Sequence, residues 1–418
     1  PQPWIRACSV YTARYEEAAA VEVSLMIEAE PNVRLIEDMG SYKRITGEFW
    51  TARQRQMHSI HYAVSYRASF KPELPNYFIR RYCSDPVKDL VLDPFGGRGT
   101  TILEANILGY SGFSNDVNPL SERIAYPKCR PVTISEINKI LSRINLDVDA
   151  DISDYDRFAP FYHPQTYREL VALKQYLRKN RTDADRFIEM IALSRLHGHS
   201  GGFFSVYSFP QISVPSAAQA RINEQRNQRP DYRPVKPRIL KKAKRVLADF
   251  APEELAQLRK VAEQNVFTCH DSRCMKSIAD ESIRLIVTSP PFLNKADYIQ
   301  DNWIEYWFLN IETEPLRKLI VQTDDLEEWS EFMIDSLREM LRVLKSGGTA
   351  VIEVGEVRYR GKMVNLDEII AELGCSVGFN IVEVLINYQQ FTKLANCFNV
   401  DNMKKGTNTN RLVVLSKP

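Results

Sequence analysis

Residues 285–298 read LIVTSPPFLNKADY, and the types gathered there are the parts of a small reaction site. Leu285, Ile286 and Val287 form the apolar run of a buried strand. Pro290 and Pro291 carry no N–H, so neither can extend a sheet ladder. The strand must therefore stop at Ser289, and Phe292 must stand on a stiff loop. A serine oxygen, a rigid main chain and an aromatic ring then sit close together. Taken alone, the same pattern also describes a turn that merely ends a strand.

A second stretch, DPFGGRGTT at 93–101, supplies a different chemistry. Asp93 ends an apolar run, and Gly96, Gly97 and Gly99 let the main chain approach a ligand closely. The phosphate-loop pattern is absent, since no Lys follows the glycines. An acid at the mouth of such a loop repels phosphate and suits an ammonium group. Asp116 follows about 20 residues later, the spacing at which an acid takes ribose hydroxyls, or else caps a helix. Asn118 either caps the next helix or touches ligand, and Asp271 after VFTCH suits an adenine amino group or a turn. Together these residues suit an adenosine with an amino-acid tail and no phosphates, which describes S-adenosylmethionine.

The elements that must position these residues alternate. LVLDPF, GFSND, NVFTCHDS, LIVTSPPF and TAVIEVGEV read as strands. A helix is expected over 75–81; TTILEANILGY and LDEIIAELGCSVG also read as helices. So does LEEWSEFMIDSLREMLRVLKSGG, an amphipathic helix closed by Gly347 and Gly348. NIVEVLINY and RLVVLSK, with no helix between, predict an antiparallel hairpin at the sheet's edge. The fold class is α/β: a doubly wound, mostly parallel, Rossmann-like sheet with helices on both faces. The expected divisions are an N-terminal extension over 1–45, a first half with the glycine loop over 46–120, a largely helical insertion over 121–262, and a second half over 263–418.

Composition excludes several classes. Of 418 residues, 44% are hydrophobic and 26% charged, ordinary values for a soluble globular chain. No run approaches the ~20 apolar residues that span a bilayer, and PQPWIRACSV lacks the pattern of a signal peptide. Seven cysteines form no CxxC pair, which argues against a disulfide framework or zinc site and for a reducing cytosol. His197 and His199 lack a third ligand nearby, so no metal is expected.

The net charge of +2 is uninformative, but its distribution is not. Arg221, Arg226, Arg229, Arg233, Lys236, Arg238, Lys241 and Lys242 face only Glu224 and Asp231. They read as a phosphate-binding arm, or as a solvated helix face. The preceding HGHSGGFFSVYSFPQ is a recognition loop or part of the core. Lys404, Lys405 and Arg411, in a long polar stretch near the C-terminus, are further candidates for contact with DNA.

DPFGGRGTT and TSPPF together resemble the amino-methyltransferases of DNA, whose glycine motif reads DPFxGxGT and whose catalytic motif reads [DNS]PP[YFW]. YRASFKPELPNYFI and HDSRCMKSIADESIRLIVTSPPF resemble further segments of that family, and the likeness covers about two-thirds of the chain. The resemblance implies a methyltransferase sheet that binds S-adenosylmethionine through Phe70, Asp93, Pro94, Phe95, Gly96, Gly97, Gly99, Thr100, Asp116, Asn118, Asp271, Ser272 and Thr288. It implies catalysis by Ser289, Pro290, Pro291 and Phe292 on a base flipped out of double-stranded DNA.

In that reading the Ser289 oxygen and the Pro290 carbonyl accept hydrogen bonds from the target amine. Phe292 stacks on the base, a contact worth ~1–3 kcal/mol, and Asn294, Asp297 or Tyr298 lines the pocket. Serine before the prolines is more usual in cytosine-N4 enzymes, with adenine N6 the alternative. RNA or protein glutamine as substrate, and a non-catalytic DNA-binding module, are further alternatives. The expected setting is the cytoplasm and nucleoid of a prokaryote, as a monomer or homodimer away from membranes, with a cognate restriction endonuclease as a possible partner.

Overall fold

A computed structural model describes residues 32–50, 57–66, 69–209, 212–291, 293, 297–388 and 409–418. The chain opens with an antiparallel pair, β1 (Asn32–Asp38) and β2 (Lys43–Glu48). Then follow α1 (Glu73–Tyr82), β3 (Val91–Asp93), α2 (Thr100–Ile107), β4 (Gly112–Asn115) and α3 (Leu120–Cys129). A helical region comes next: α4 (Ile134–Arg143), α5 (Pro164–Lys179), α6 (Asp183–Leu193), α7 (Ser216–Gln225), α8 (Val235–Val246) and α9 (Pro252–Ala262). The sheet resumes with β5 (Val266–Thr268) and β6 (Ile283–Thr288), followed by α10 (Trp303–Leu309), α11 (Thr313–Leu319) and α12 (Leu326–Val343). It ends with β7 (Leu344–Val354), β8 (Glu356–Tyr359), β9 (Lys362–Asn365), α13 (Leu366–Val377), β10 (Asn380–Tyr388) and β11 (Thr409–Ser416).

The main sheet runs β1-β2-β10-β11-β7-β6-β3-β4-β5. Strands β3 to β7 are mutually parallel, which fits the expected doubly wound α/β sheet. Continuous apolar strands belong where both faces are covered, and alternate residues separate the two layers. Val91, Leu285 and Val351 pack with Leu74, Phe78 and Ile79 of α1. Leu92, Ile286 and Ile352 pack with α12 and α13. Helix α12 presents Trp329, Phe332, Met333, Ser336, Leu337, Met340 and Val343 as one buried stripe. Asp325 caps it by accepting from the N–H groups of Glu327 and Glu328. The helical region shares one apolar core with Ile102 and Leu103 of α2.

The expectations differ from the structure in three places. The β10–β11 hairpin forms, but it is not the edge, because β2 pairs parallel with β10 and carries β1 outside it. A boundary at residue 45 therefore cuts through a strand of the main sheet. Gly347 and Gly348 do not close α12, whose helix ends at Val343. They lie inside β7, where pairing with β6 shifts register between Ile283 and Leu285. Among the described residues no helix is long and apolar enough to cross a membrane.

Candidate active site

Strand order reverses at β3: β4 and β5 lie to one side, β6 and β7 to the other. Such a reversal opens a crevice beyond the carboxyl ends of the strands. There the loops after β3 and β6 border one cleft, with about 800 Å³ of open space that includes the solvent at its mouth. Phe70, Pro94, Phe95, Gly96, Gly97, Thr100, Asp116, Asn118, Asp271 and Ser272 line it, together with Ser289 and Pro291. Asp93, Gly99, Thr288 and Pro290 are not part of the lining. Phe292 and Asn294 lie outside the described residues, as do Lys404 and Lys405.

The glycine loop is pinched onto β4. The Gly96 N–H donates to the Asn115 carbonyl at 2.8 Å, and a Cβ on Gly96 would stand 2.3 Å from the Ser114 hydroxyl. Gly97 has φ +50° and lies under the Tyr66 ring. Gly99 serves packing: a Cβ there would meet Ala125 of α3 at 2.4 Å. Arg98 donates to the Phe70 carbonyl at 3.0 Å, which ties the upstream segment to the loop.

Asp93 sits one layer behind the lining and is 1% exposed. Its Oδ1 accepts from the Thr288 hydroxyl at 2.6 Å and from the Phe95 N–H at 3.1 Å. Its Oδ2 is buried with no hydrogen-bond partner among the described residues. Burial, helped by the neighbouring Asp116 charge, pushes this carboxyl up to about 7, against the stabilising influence of Thr288, the Phe95 N–H and the Thr101 hydroxyl. A desolvated carboxylate oxygen without a partner is completed by a cation, so the site fits a ligand that carries an ammonium group.

Asp116 borders the cleft and receives the Gly97 N–H on Oδ2 at 2.8 Å and the Asn118 N–H on Oδ1 at 2.9 Å. Burial raises it to about 6 despite those two bonds. Each oxygen keeps a lone pair, so the carboxylate can still accept from a vicinal diol. The Asn118 side chain is already engaged: Oδ1 takes the Leu120 N–H, and Nδ2 donates to the hydroxyls of Tyr306 at 2.9 Å and Tyr66 at 3.4 Å. Asp271 forms an ion pair with Arg273 at 2.6 Å, and that guanidinium stands over Phe332.

The Ser-Pro-Pro loop is held from beneath. Glu353 of β7 is 4% exposed, and burial pushes its carboxyl up to about 7 against hydrogen bonds from Asn410 and Ser289. The Pro291 carbonyl accepts from the Trp329 indole N–H at 2.8 Å. Neither Glu353 nor Trp329 is apparent from sequence, because each reads as an ordinary strand or helix position. Tyr66, Ser69, Arg98, Val117, Leu319, Ile320, Val321 and Phe332 complete the wall and were likewise missed. Tyr298 lines the cleft as expected, stacked on Tyr66 with centroids 6.0 Å apart. Asp297 instead caps a helical turn by accepting from Ile299 and Gln300.

The basic residues of the helical region divide. Arg233 donates to the carbonyls of Ser200, Phe203 and Ser205, and Lys236 to that of Ile144. Arg238 donates to Gly201 and Pro234, Lys242 reaches the Tyr62 carbonyl, and Arg226 stacks on Tyr207. Arg221, Arg229 and Lys241 stay exposed. The arm is thus in part a scaffold for its own loops. Arg411 is also internal, bonded to Glu356 and Asp367. His197 is buried between Glu305 and the Phe209 carbonyl. Among the described residues no group of His, Cys, Asp and Glu is arranged to hold a metal ion.

Residues 283–412 match the family model described as DNA methylase. The type II methyltransferase M.MjaII of Methanocaldococcus jannaschii is 28% identical over 148 residues, 33% of this chain and 27% of the relative. M.BsoBI of Geobacillus stearothermophilus, also a type II methyltransferase, is 19% identical over 309 residues, 69% of this chain and 59% of the relative. A third, M.MvaI of Kocuria varians, is 24% identical over 149 residues, 32% of this chain and 33% of the relative. The chain thus spans less than two thirds of the length of each.

Proposed function

The chain belongs to the amino-methyltransferase family of DNA methylases, and on that premise we propose that it methylates the exocyclic N4 amine of a cytosine flipped out of duplex DNA, with S-adenosylmethionine as donor. The observation that carries this reading is the single cleft bordered by both Gly97 and the Ser289–Pro291 loop. Bound there, S-adenosylmethionine supplies an electrophilic methyl on a sulfonium. Asp93 would attract its ammonium from one layer behind the lining, while Asp116 would hold its ribose hydroxyls, and Phe332 with Ile320 its adenine ring.

The remaining chemistry belongs to the protein. A cytosine amine is a weak nucleophile because its lone pair is delocalised into the ring. Donation of the Ser289 hydroxyl to the Glu353 carboxylate beneath it would leave the serine lone pairs for the cleft. They accept from the amine and draw its nitrogen toward tetrahedral geometry. As the new N–C bond forms, the amine proton passes to Ser289 Oγ and the serine proton to the Glu353 carboxylate. Trp329 fixes the loop that holds the base, so little reorganisation remains for the reaction itself. Proximity and orientation of this kind contribute up to ~7–11 kcal/mol. Flipping the base costs a few kcal/mol, which duplex contacts must offset.

The test is to incubate duplex DNA with the protein and donor, digest to nucleosides and separate them by mass spectrometry. N4-methylcytosine is expected. N6-methyladenine would overturn the base assignment and leave the amino-methyltransferase reading standing, whereas unmodified DNA would overturn both.

A further inference from the structure

Strand β7 ends beneath the Ser289 loop with the buried Glu353 and Val354, then leads into the small β8–β9 hairpin, which forms a sheet of its own. Its position follows from topology. Since β7 is parallel to β6, its carboxyl end lies beside the Ser289 loop, and the hairpin begins at Glu356, just beyond the residue that anchors Ser289. The root is closed: the Leu366 N–H donates to the Gly355 carbonyl at 3.2 Å, and Glu356 takes hydrogen bonds from Thr409 and Arg411. Val357 anchors the inner face at 2% exposure, paired with Val364. The tip is a two-residue turn with Arg360 at φ 47° and Gly361 at φ 82°. Left-handed conformations at both turn positions match the twist of the flanking strands, which makes a stiff hairpin. Four-residue strands carry that tip about 13 Å.

Its charge has one sign. Arg358, Arg360 and Lys362 are exposed, and none makes an ion pair with a described residue. The hairpin's acid, Glu356, is engaged by Arg411 at the root. Arg358 lies on the outer face opposite Met363, away from Val357 and Val364. The contrast with Arg233, Lys236 and Arg238, whose donors serve main-chain carbonyls, is direct. Arg360 stands over the Tyr359 ring at 4.9 Å, which leaves its N–H donors free of hydrogen bonds among the described residues, as are those of Arg358 and Lys362. Cations on a stiff hairpin rooted beside the Ser289 loop are built to meet an anion. We propose that this hairpin is a duplex clamp, in which Arg358, Arg360 and Lys362 grip phosphates beside the extruded nucleotide. This rests on reading the cleft as the site of DNA methylation.

Replacing all three by glutamate in the full chain tests it. Binding to the duplex that the parent methylates is followed by fluorescence anisotropy over a series of salt concentrations. Each lost phosphate contact removes ~0.9 from the slope of log K against log salt, so the slope should fall by about 2–3. S-adenosylmethionine affinity and melting temperature should match the parent. A paired Arg358→Lys and Arg360→Lys variant, which keeps charge, should retain the parental slope. An unchanged slope in the glutamate variant would overturn the clamp while leaving methylation intact. A parent that binds no duplex at all would overturn the functional reading and the clamp with it.

Discussion

Consecutive residues at the end of β6 serve two buried acids on opposite neighbours. Thr288 donates to Asp93 on β3, and Ser289 hydrogen-bonds Glu353 on β7. Both carboxyls are pushed up to about 7 by burial. They differ in what remains unsatisfied. Asn410 completes the Glu353 site, whereas Asp93 keeps one oxygen with no partner among the described residues. One acid is finished and can orient a hydroxyl. The other waits for a cation from outside. In the proposed reading, a single strand tip thus separates transfer chemistry from donor capture.

Variants can break this division. The largest loss is expected for Ser289→Ala: methyl transfer should drop ~10²–10⁴-fold, while donor and duplex binding persist. Unaltered turnover would remove Ser289 from the chemistry. Asp93→Ala should act on the other side, weakening donor affinity ~10²-fold in calorimetry through loss of a buried charge pair. Acidity sharpens the point. A cation binds the ionised carboxylate, so in the parent donor affinity should fall about tenfold per unit as pH drops below about 7. Asp93→Asn should flatten that dependence, and a parental pH profile in this variant would contradict the assignment.

Stability should show the opposite sign. Both acids bind protons more tightly folded than unfolded. Their contribution is therefore present below the ordinary carboxylate range near 4 and declines as pH rises through about 7. Thermal melts of the unliganded protein should accordingly show higher stability at mildly acidic than at mildly basic pH.

Glu353→Gln should lower kcat more modestly, ~10–10²-fold, with KM for DNA unchanged and the rate's ionisation near 7 abolished. A shift in KM alone would mean that Glu353 only supports the base pocket. The smallest effect belongs to Gly99→Ala, which puts a methyl against Ala125 at a φ of +75°. About 1–3 kcal/mol of stability should be lost, with little change in chemistry.

Both strand tips were legible because their signals are local. An apolar run that breaks at a glycine loop or a proline pair fixes where a strand ends and which groups follow it. The partners beneath were hidden. Glu353 and Trp329 sit in unremarkable strand and helix patterns, and only pairing between distant segments brings them under Ser289 and Pro291. The same limit applies to the basic stretch. Composition counts charges but does not reveal that Arg233 faces three carbonyls while Arg358 faces solvent.

The docking of β2 on β10 has a consequence for synthesis. Phe49 and its acceptor Asn387 lie 338 residues apart. At ribosomal rates that separation lasts on the order of tens of seconds. Until β10 emerges, the β1–β2 ribbon has no sheet to join, and Val33, Leu35 and Ile36 sit on it as apolar positions. A nascent chain in that state offers a bare strand edge to its neighbours on a polysome. Yield should therefore depend on holdase chaperones and on slow, cool expression more than on the final stability of the sheet.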